Sequence, residues 1–368
     1  MVIQKLILSK NSAEVFKKSL ICTLSLSSKE LFHSNMLGWL LENDLSFARM
    51  VLDCDSLIKI EKVEREKYNV DLFVTADQNH YVIENKVKSL PNHEQIIGYK
   101  EKMDNKNQDA NFVLISLVEP DDEFRSKVPF LKIINYEQIH NWLSQLETTD
   151  KYLRALLDDY GILISTLLQI KLIASDLKLE HQLSFKKEDE KILRDIRLFD
   201  VAQKIRYSCF AVLCDKRLDE LKLKNLSELK EKTEVALSRS LGLISIKIKF
   251  QNPASGRPFL IGIQIQGNQY RFLVESTDGS DVQALAEELR KECLWLTSRH
   301  GTCENIRKFG KIFKYTYFLI KEKTIEDLIR EVEIDITKLF ENKNKIESLI
   351  IRMQSNNFHS GELNQAKL

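Results

Sequence analysis

Asp71, Glu84 and Lys86 are three ionisable residues whose types and spacing could hold a metal ion and activate a water molecule. They fall in residues 70–99, a stretch that reads as strand, tight turn, strand and helix. Because side chains alternate along a strand, Glu84 and Lys86 share one face with Val82. Two carboxylates can share a hard cation between them, and a neighbouring ammonium can position the water that attacks a substrate.

The turn between the two strands decides whether these residues meet. Asp and Asn tolerate turn conformations, so Asp77-Gln78-Asn79 is the predicted reversal. A hairpin centred on Gln78 and Asn79 places Asp71 opposite Lys86 and Phe73 opposite Glu84. Asp71 and Glu84 are then diagonal neighbours, roughly 7–8 Å apart at the backbone. A slip of one residue would turn Asp71 to the other face of the sheet.

An ordinary ion pair is the alternative for Glu84 and Lys86, because charged strand faces are common on solvated sheets. The flanking residues argue for burial instead, since the second strand also carries Tyr81, Val82, Ile83 and Val87. Buried Glu and Lys side chains are costly unless they are paired or bind a metal ion.

The motif resembles that of the PD-(D/E)XK nuclease superfamily, which has the restriction-endonuclease-like fold. The resemblance is carried by Val70-Asp71, Ile83-Glu84-Asn85-Lys86 and Gln95-x-x-x-Tyr99, and it covers roughly residues 28–145. Val70 stands where the family's name has a proline, a position that varies among members. The form of the motif is similar to that of a bacterial branch with a C-terminal extension. The resemblance implies that Asp71, Glu84 and Lys86 are catalytic and that Asp71 and Glu84 bind Mg²⁺ or Mn²⁺.

Two further metal ligands follow from the resemblance. Glu30 matches an acidic residue that an early helix supplies in this family, and Glu66 matches one on the strand before the aspartate. The alternatives are a glutamate favoured by the helix dipole for Glu30 and a solvated charge run for Glu66. His33, in the same helix as Glu30, is expected to be a local hydrogen-bonding or DNA-proximal residue and not part of a catalytic triad.

Nucleic-acid contacts are predicted at two places. Gln95 and Tyr99 share one helix face, which the resemblance implies is turned to the substrate, and Lys88 adds positive charge beside them. The alternative is a tyrosine packed on the sheet with the glutamine in solvent. Farther along, Lys311 and Lys314 alternate with aromatic residues and are predicted to contact phosphates, although such a pattern more often belongs to a strand with one solvated face.

The composition of the chain limits how it could bind nucleic acid and where in the cell it could act. The chain has 368 residues, with 55 basic and 54 acidic side chains, so positive charge for nucleic acid must be local. The six cysteines form no Cys-x-x-Cys pair, which indicates reduced thiols in a cytoplasmic protein. The apolar run at residues 161–170 is too short to span a bilayer and predicts a buried helix.

The predicted fold is α/β, with a restriction-endonuclease-like mixed sheet flanked by helices and a second, α+β domain. The predicted boundaries are 1–182 for the nuclease-like domain with its trailing helices, 183–355 for the α+β domain that binds substrate or a partner, and 356–368 for a flexible tail. In the C-terminal helix Val332, Leu339, Ile346 and Met353 repeat every seven residues. This repeat predicts either packing on its own domain or a homodimer contact.

The sequence therefore predicts a Mg²⁺-dependent DNA endonuclease, and the resemblance suggests defence of a bacterium against foreign DNA. One alternative is a non-catalytic nucleic-acid-binding or scaffold protein on a nuclease fold. Another is an RNase, since the chemistry of the site is the same for all phosphodiesters. A partner subunit is also compatible with the sequence.

Overall fold

The computed structural model describes residues 30–221, 223, 226–231, 233–238, 241–252, 255–296 and 306–353, together with Glu14, Ser19 and Ile21. The described residues form two compact units. The first contains residues up to Asp176 and Lys186–Ile205, and the second contains Leu177–Phe185 and the residues from Arg206 onward. Residues 186–205 thus join the first unit, beyond the predicted division after residue 182. The predicted tail at 356–368 lies outside the described residues.

The first unit is an α/β structure built around one sheet. Its elements are α1 (Glu30–Asn43), α2 (Leu45–Leu52), β1 (Ile60–Arg65), β2 (Leu72–Ala76), β3 (Asn79–Lys86), α3 (His93–Asp104), β4 (Ala110–Ser116), α4 (Asp122–Lys127), β5 (Leu131–Asn135), α5 (Tyr136–Gln145), α6 (Lys151–Ser175) and α7 (Lys187–Asp195). The strand order is β1-β2-β3-β4-β5. The first three strands are antiparallel and the last two run parallel to β3, which confirms the predicted mixed sheet.

The β2–β3 hairpin is tighter than the sequence predicted. Leu72 pairs with Ile83 and Ala76 with Asn79, so the reversal consists of Asp77 and Gln78 alone. Both residues have positive φ, 44° and 66°, as a two-residue primed turn requires. The register therefore differs by two residues from the prediction. Continued by one residue, it sets Asp71 opposite Glu84 and not opposite Lys86. A shift of two keeps every side chain on its predicted face, because the side-chain period of a strand is two.

The two faces of β3 have different partners. On one face Val82 packs in a buried cluster with Phe73, with Ile96 and Tyr99 of α3, and with Leu114 of β4. On the other face α1 lies against β3. The predicted buried helix at 161–170 is part of α6, and Leu163, Ile164, Leu167 and Ile170 are buried there. Among the described residues, no helix is long and apolar enough to cross a membrane.

The second unit is α+β, as predicted. It contains most of α8 (Phe199–Glu220), which starts in the first unit, and then α9 (Leu226–Leu229), β6 (Glu234–Ser238), β7 (Leu241–Phe250), β8 (Phe259–Gln266), β9 (Gln269–Ser276), α10 (Gln283–Lys291), β10 (Arg307–Phe309), β11 (Phe313–Leu319) and α11 (Ile325–Glu341). The six strands form one antiparallel sheet in the order β10-β11-β9-β8-β7-β6.

The heptad positions of the C-terminal region pack inside this unit. Val332, Leu339 and Ile346 are at most 1 % exposed and belong to the same buried cluster as the isoleucines of β7 and β8. Asp335, on α11, is also buried and accepts a hydrogen bond from Tyr270 Oη at 3.0 Å. Because this seam is already covered within its own unit, the structure favours packing on its own domain, and a homodimer contact through this helix stays a prediction.

Candidate active site

The hairpin brings Asp71 and Glu84 together at one end of the sheet. Asp71 directly precedes β2, and its Oδ2 accepts a hydrogen bond from the backbone N–H of Asn85 at 2.7 Å. Glu84 lies on β3 and is 3 % exposed. The spacing that made these residues candidates therefore places both carboxylates at one site.

Glu84 is paired through only one of its two carboxylate oxygens. Oε1 lies 2.5 Å from Lys86 Nζ and accepts a hydrogen bond from Gln95 Nε2 at 2.9 Å. Oε2 is buried, and none of the described residues hydrogen-bonds to it. A buried carboxylate oxygen without a partner is costly, since it has lost its hydration and gained nothing in return. Such an oxygen is suited to a cation.

Asp71 is strained electrostatically by the same arrangement. Burial of its carboxylate and the nearby negative charge of Glu84 raise the pKa of Asp71 to about 6, although the Asn85 N–H and Lys86 oppose the shift. Two carboxylates without a shared proton or cation repel each other, and a divalent cation between them removes the repulsion.

Glu30 is held by the chain that follows β3. Its Oε1 accepts hydrogen bonds from the N–H groups of Val87, Lys88 and Ser89 at 3.2, 3.0 and 2.6 Å, and from the Ser89 hydroxyl. Burial opposes its ionisation, but the bonds from Ser89 and the charge of Lys86 hold the pKa of Glu30 below its usual value. Glu30 therefore fixes the end of β3 in place, and its role as a metal ligand stays a prediction.

A buried polar network supports β3 from its other face. The side-chain amide of Asn85 donates to Ser34 Oγ at 3.2 Å and accepts from Tyr136 Oη at 2.8 Å. His33 Nδ1 lies 3.2 Å from Tyr160 Oη, and the imidazole is fully buried, which lowers the pKa of His33 to about 3. His33 is therefore a neutral, local hydrogen-bonding residue, and the DNA-proximal alternative is wrong for it.

Gln95 and Tyr99 lie on the same face of α3, as their spacing predicted. Gln95 Nε2 is 2.9 Å from Glu84 Oε1 and 2.5 Å from Tyr99 Oη. Tyr99 is 5 % exposed and packs in the buried cluster of this face, and burial raises the pKa of its phenol. These contacts show Gln95 orienting Glu84. A contact of either residue with nucleic acid stays a prediction.

The other predicted residues lie apart from this cluster or are already engaged. Lys88 forms an ion pair with Asp200 of α8. The Glu66 side chain is exposed on the turn after β1, where its backbone N–H donates to the Asp71 carbonyl at 3.2 Å. Its assignment as a ligand stays a prediction.

Of the two second-unit lysines, Lys311 is exposed and Lys314 is not. Lys314 is 3 % exposed, and its ammonium is 3.4 Å from the Gly310 carbonyl oxygen and 4.0 Å from the Asp281 carboxylate. It points to the core side of β11, so we correct its assignment as a nucleic-acid contact.

Sequence reasoning missed the residues that hold the site in shape. Asn85 and Ser34 sit on otherwise apolar faces, and that break in the pattern was their only signal. Asp200 lies far along the chain, and nothing in its local sequence links it to β3.

The donor set fits a small divalent cation. Within the described ranges, no group of three or more His, Cys, Asp or Glu side chains is close enough to hold a metal. Two carboxylates are nonetheless an ordinary protein contribution for Mg²⁺, which keeps several waters and takes further oxygens from a phosphate substrate. Asp71 and the unpartnered oxygen of Glu84 are the residues that would hold it.

A mixed five-stranded sheet with an Asp, a Glu-x-Lys strand and a supporting helix defines a nuclease-like α/β domain. Residues 21–160 match a family model described as the PD-(D/E)XK nuclease superfamily. Over this segment, which is less than half of the chain, the protein is similar to that superfamily. Searches of curated proteins and of solved structures found no match.

Proposed function

We propose that the protein is a metal-dependent nuclease that hydrolyses phosphodiester bonds of DNA. The observation that carries this proposal is the buried Glu84 Oε2, which has no hydrogen-bond partner among the described residues and lies at the site where Asp71 is also held. Most buried carboxylate oxygens have a hydrogen-bond partner, so an unpartnered one close to a second carboxylate supports a bound cation.

Asp71 and Glu84 would hold Mg²⁺ or Mn²⁺, hard cations that prefer carboxylate and phosphate oxygens. When bound, the cation supplies a water of lowered pKa and stabilises charge on the phosphate oxygens. Lys86, held by Glu84 Oε1, positions the attacking water and offsets the negative charge that builds on the phosphate. Gln95 fixes the orientation of Glu84, and Glu30 fixes the backbone just after Lys86.

Further observations support a cellular compartment and a biological role for this activity. Cys54, Cys209, Cys214 and Cys293 are free thiols, which supports a reducing compartment such as the cytoplasm. The likeness of the Ile-Glu-Asn-Lys and Gln-x-x-x-Tyr motifs to those of a bacterial branch supports a role in defence against foreign DNA. A partner subunit remains part of the proposal, since the described chain has no base-reading motif that would set a cleavage sequence.

The decisive experiment is cleavage of supercoiled plasmid in Mg²⁺ or Mn²⁺. Glu84→Gln keeps the shape of the side chain and removes its charge, so we expect nicking to fall by about 100-fold or more, as when a group that stabilises the transition state is removed. Glu94→Gln is the matched control, because Glu94 is an exposed glutamate in the first turn of α3. EDTA should abolish cleavage by the parent protein and by the control.

The remaining outcomes separate the alternatives. Cleavage of RNA but not of plasmid, with the same loss in Glu84→Gln, would assign an RNase. Salt-sensitive binding without cleavage of either polymer would assign a non-catalytic binding protein. Cleavage by Glu84→Gln at the parental rate would overturn the site assignment.

A further inference from the structure

Helix α8 places a second lysine beside the candidate site. Asp200 lies in the first turn of α8 and forms an ion pair with Lys88, which follows β3. Lys204 is four residues after Asp200 and therefore lies on the same face of the helix, one turn along. Both residues belong to the first compact unit. The ion pair thus fixes the α8 face that carries Lys204 next to the end of β3.

The charges that act on Lys204 are those of the candidate site. They come from the Glu30 carboxylate and from the ammonium groups of Lys88 and Lys86. Lys204 is half-buried, and this burial, together with the two neighbouring lysines, holds its pKa below the usual value. A lysine used only for surface solubility would instead keep its ammonium in water, away from other cations.

The charge balance of the site indicates what these lysines are for. Among the described residues, the site and the start of α8 together carry three ammonium groups, those of Lys86, Lys88 and Lys204, and the four carboxylates of Glu30, Asp71, Glu84 and Asp200. The carboxylates exceed the ammonium groups by one, and a divalent cation would reverse that excess. With the cation bound, these groups would have a net charge of one positive unit, which matches the single negative charge of one phosphodiester group.

We propose that Lys204 is a substrate-binding residue that contacts a backbone phosphate of the nucleic acid at the Asp71–Glu84 site. This inference rests on the proposed function and deepens it. The nuclease site then extends beyond residues 21–160, the segment that the family model matches, and includes the start of α8. Phosphate contacts of this kind fix the register of the polymer and carry no sequence information.

The test measures binding in the cleavage-deficient Glu84→Gln background, in EDTA, with a fluorescein-labelled DNA duplex over a series of salt concentrations. One lost phosphate contact should weaken binding by about five- to tenfold and lower the slope of log K against log salt by about 1. We therefore expect Lys204→Gln to show both changes and Lys204→Arg to restore them. Lys191→Gln is the matched control, because Lys191 is an exposed lysine on α7 of the same unit.

A structural role for Lys204 gives a different result. It would lower the melting temperature of Lys204→Gln while leaving the salt slope unchanged. If the glutamine variant melts early, Lys204→Met, which keeps the aliphatic stem, takes its place in the same assay.

Two results would overturn the inference. They are distinguished by whether the parent protein cleaves and binds nucleic acid. If the parent cleaves and binds DNA while Lys204→Gln binds with the parental affinity and slope, Lys204 is not a phosphate contact and the proposed function stands. If the parent neither cleaves nor binds DNA or RNA, the proposed function fails and the inference fails with it.

Discussion

Asp71 and Glu84 differ from an ordinary ion pair at the level of single residues. Lys86 and Gln95 both serve one oxygen of Glu84, and the second oxygen stays buried without a partner among the described residues. Asp71 meanwhile sits near a second negative charge that raises its pKa to about 6. Both features cost folding free energy in the absence of a cation, and a cation relieves both.

The raised pKa of Asp71 makes the stability of the folded protein depend on pH. Its folded pKa of about 6 lies above its ordinary value of 3.8, so the folded protein binds more protons than the unfolded chain between these values. In EDTA, stability should therefore fall as pH rises from about 4 to about 6, by at most about 3 kcal/mol. Asp71→Asn removes the titrating group and should be more stable than the parent at pH 8. Urea unfolding across this pH range measures both effects.

Magnesium supplies the internal control for this prediction. A ligand that binds the folded state raises its stability, so Mg²⁺ should raise the melting temperature of the parent at pH 8 and leave that of Asp71→Asn nearly unchanged. Equal pH profiles for the two proteins in EDTA would contradict the raised pKa. Equal protection by Mg²⁺ would remove Asp71 from the metal site.

The sequence predicted the positions of the candidate residues better than the contacts around them. Residue types and strand alternation were sufficient to place Asp71, Glu84 and Lys86 on one face of the hairpin, and their catalytic role stays a prediction. The same alternation does not show which face of β11 is buried, and the prediction that Lys314 contacts phosphates took its side chain to be accessible. Phe313, Tyr315 and Tyr317 in fact lie half-exposed on the open face, and Lys314 lies with Phe318 on the core side. Burial of a lysine depends on distant acceptors, here Gly310 and Asp281, that a strand pattern does not contain.

At the scale of elements, the β2–β3 hairpin positions the site residues, and the length of its turn determines the register of the hairpin. The sequence predicted both strands and the reversal at Asp77-Gln78-Asn79, but not whether the turn has two residues or more. That choice depends on Gln78 adopting a left-handed conformation, which its type does not favour. Contacts of Asp77 with residues outside the hairpin offset this strain. Its carboxylate accepts hydrogen bonds from the N–H groups of Ile58 and Lys59 at 2.8 and 3.1 Å.

This geometry predicts opposite effects of glycine at adjacent positions. Gln78→Gly relieves the left-handed strain at little other loss and should stabilise the protein by about 0.5–1 kcal/mol. Asp77→Gly removes two hydrogen bonds to the strand entry. Because Asp tolerates a left-handed φ better than Gln, the strain that glycine relieves at Asp77 offsets only part of this loss, and the variant should be less stable by about 1 kcal/mol. Chemical denaturation of both variants and the parent checks the pair. A destabilising Gln78→Gly would mean that the two-residue turn is wrong.

At the scale of the whole molecule, residues 186–205 decide where the first unit ends. The spacing of apolar residues from 188 to 223 is typical of one long helical region. The structure has α7 and α8 instead, separated at Arg197, whose φ is 59°. Helical periodicity does not show where a chain turns back, because the residues at the break, Ile196 and Leu198, are as apolar as those within the helices. Tertiary contacts therefore assign this segment, and they assign it to the unit that holds the candidate site.

Hydrogen exchange on the full-length chain tests that assignment. Leu198 is fully buried, so Leu198→Ala should cost about 2–5 kcal/mol through the cavity it leaves. If residues 186–205 belong to the first unit, the added exchange should appear in β2, β3 and β4, while β7, β8 and β9 stay protected. Val332→Ala, at a buried position of α11, is the mirror control and should expose the second sheet and spare the first. Exchange that rises in the second sheet for both variants would place the segment with the second unit, and the start of α8 would then no longer have a fixed position beside the end of β3.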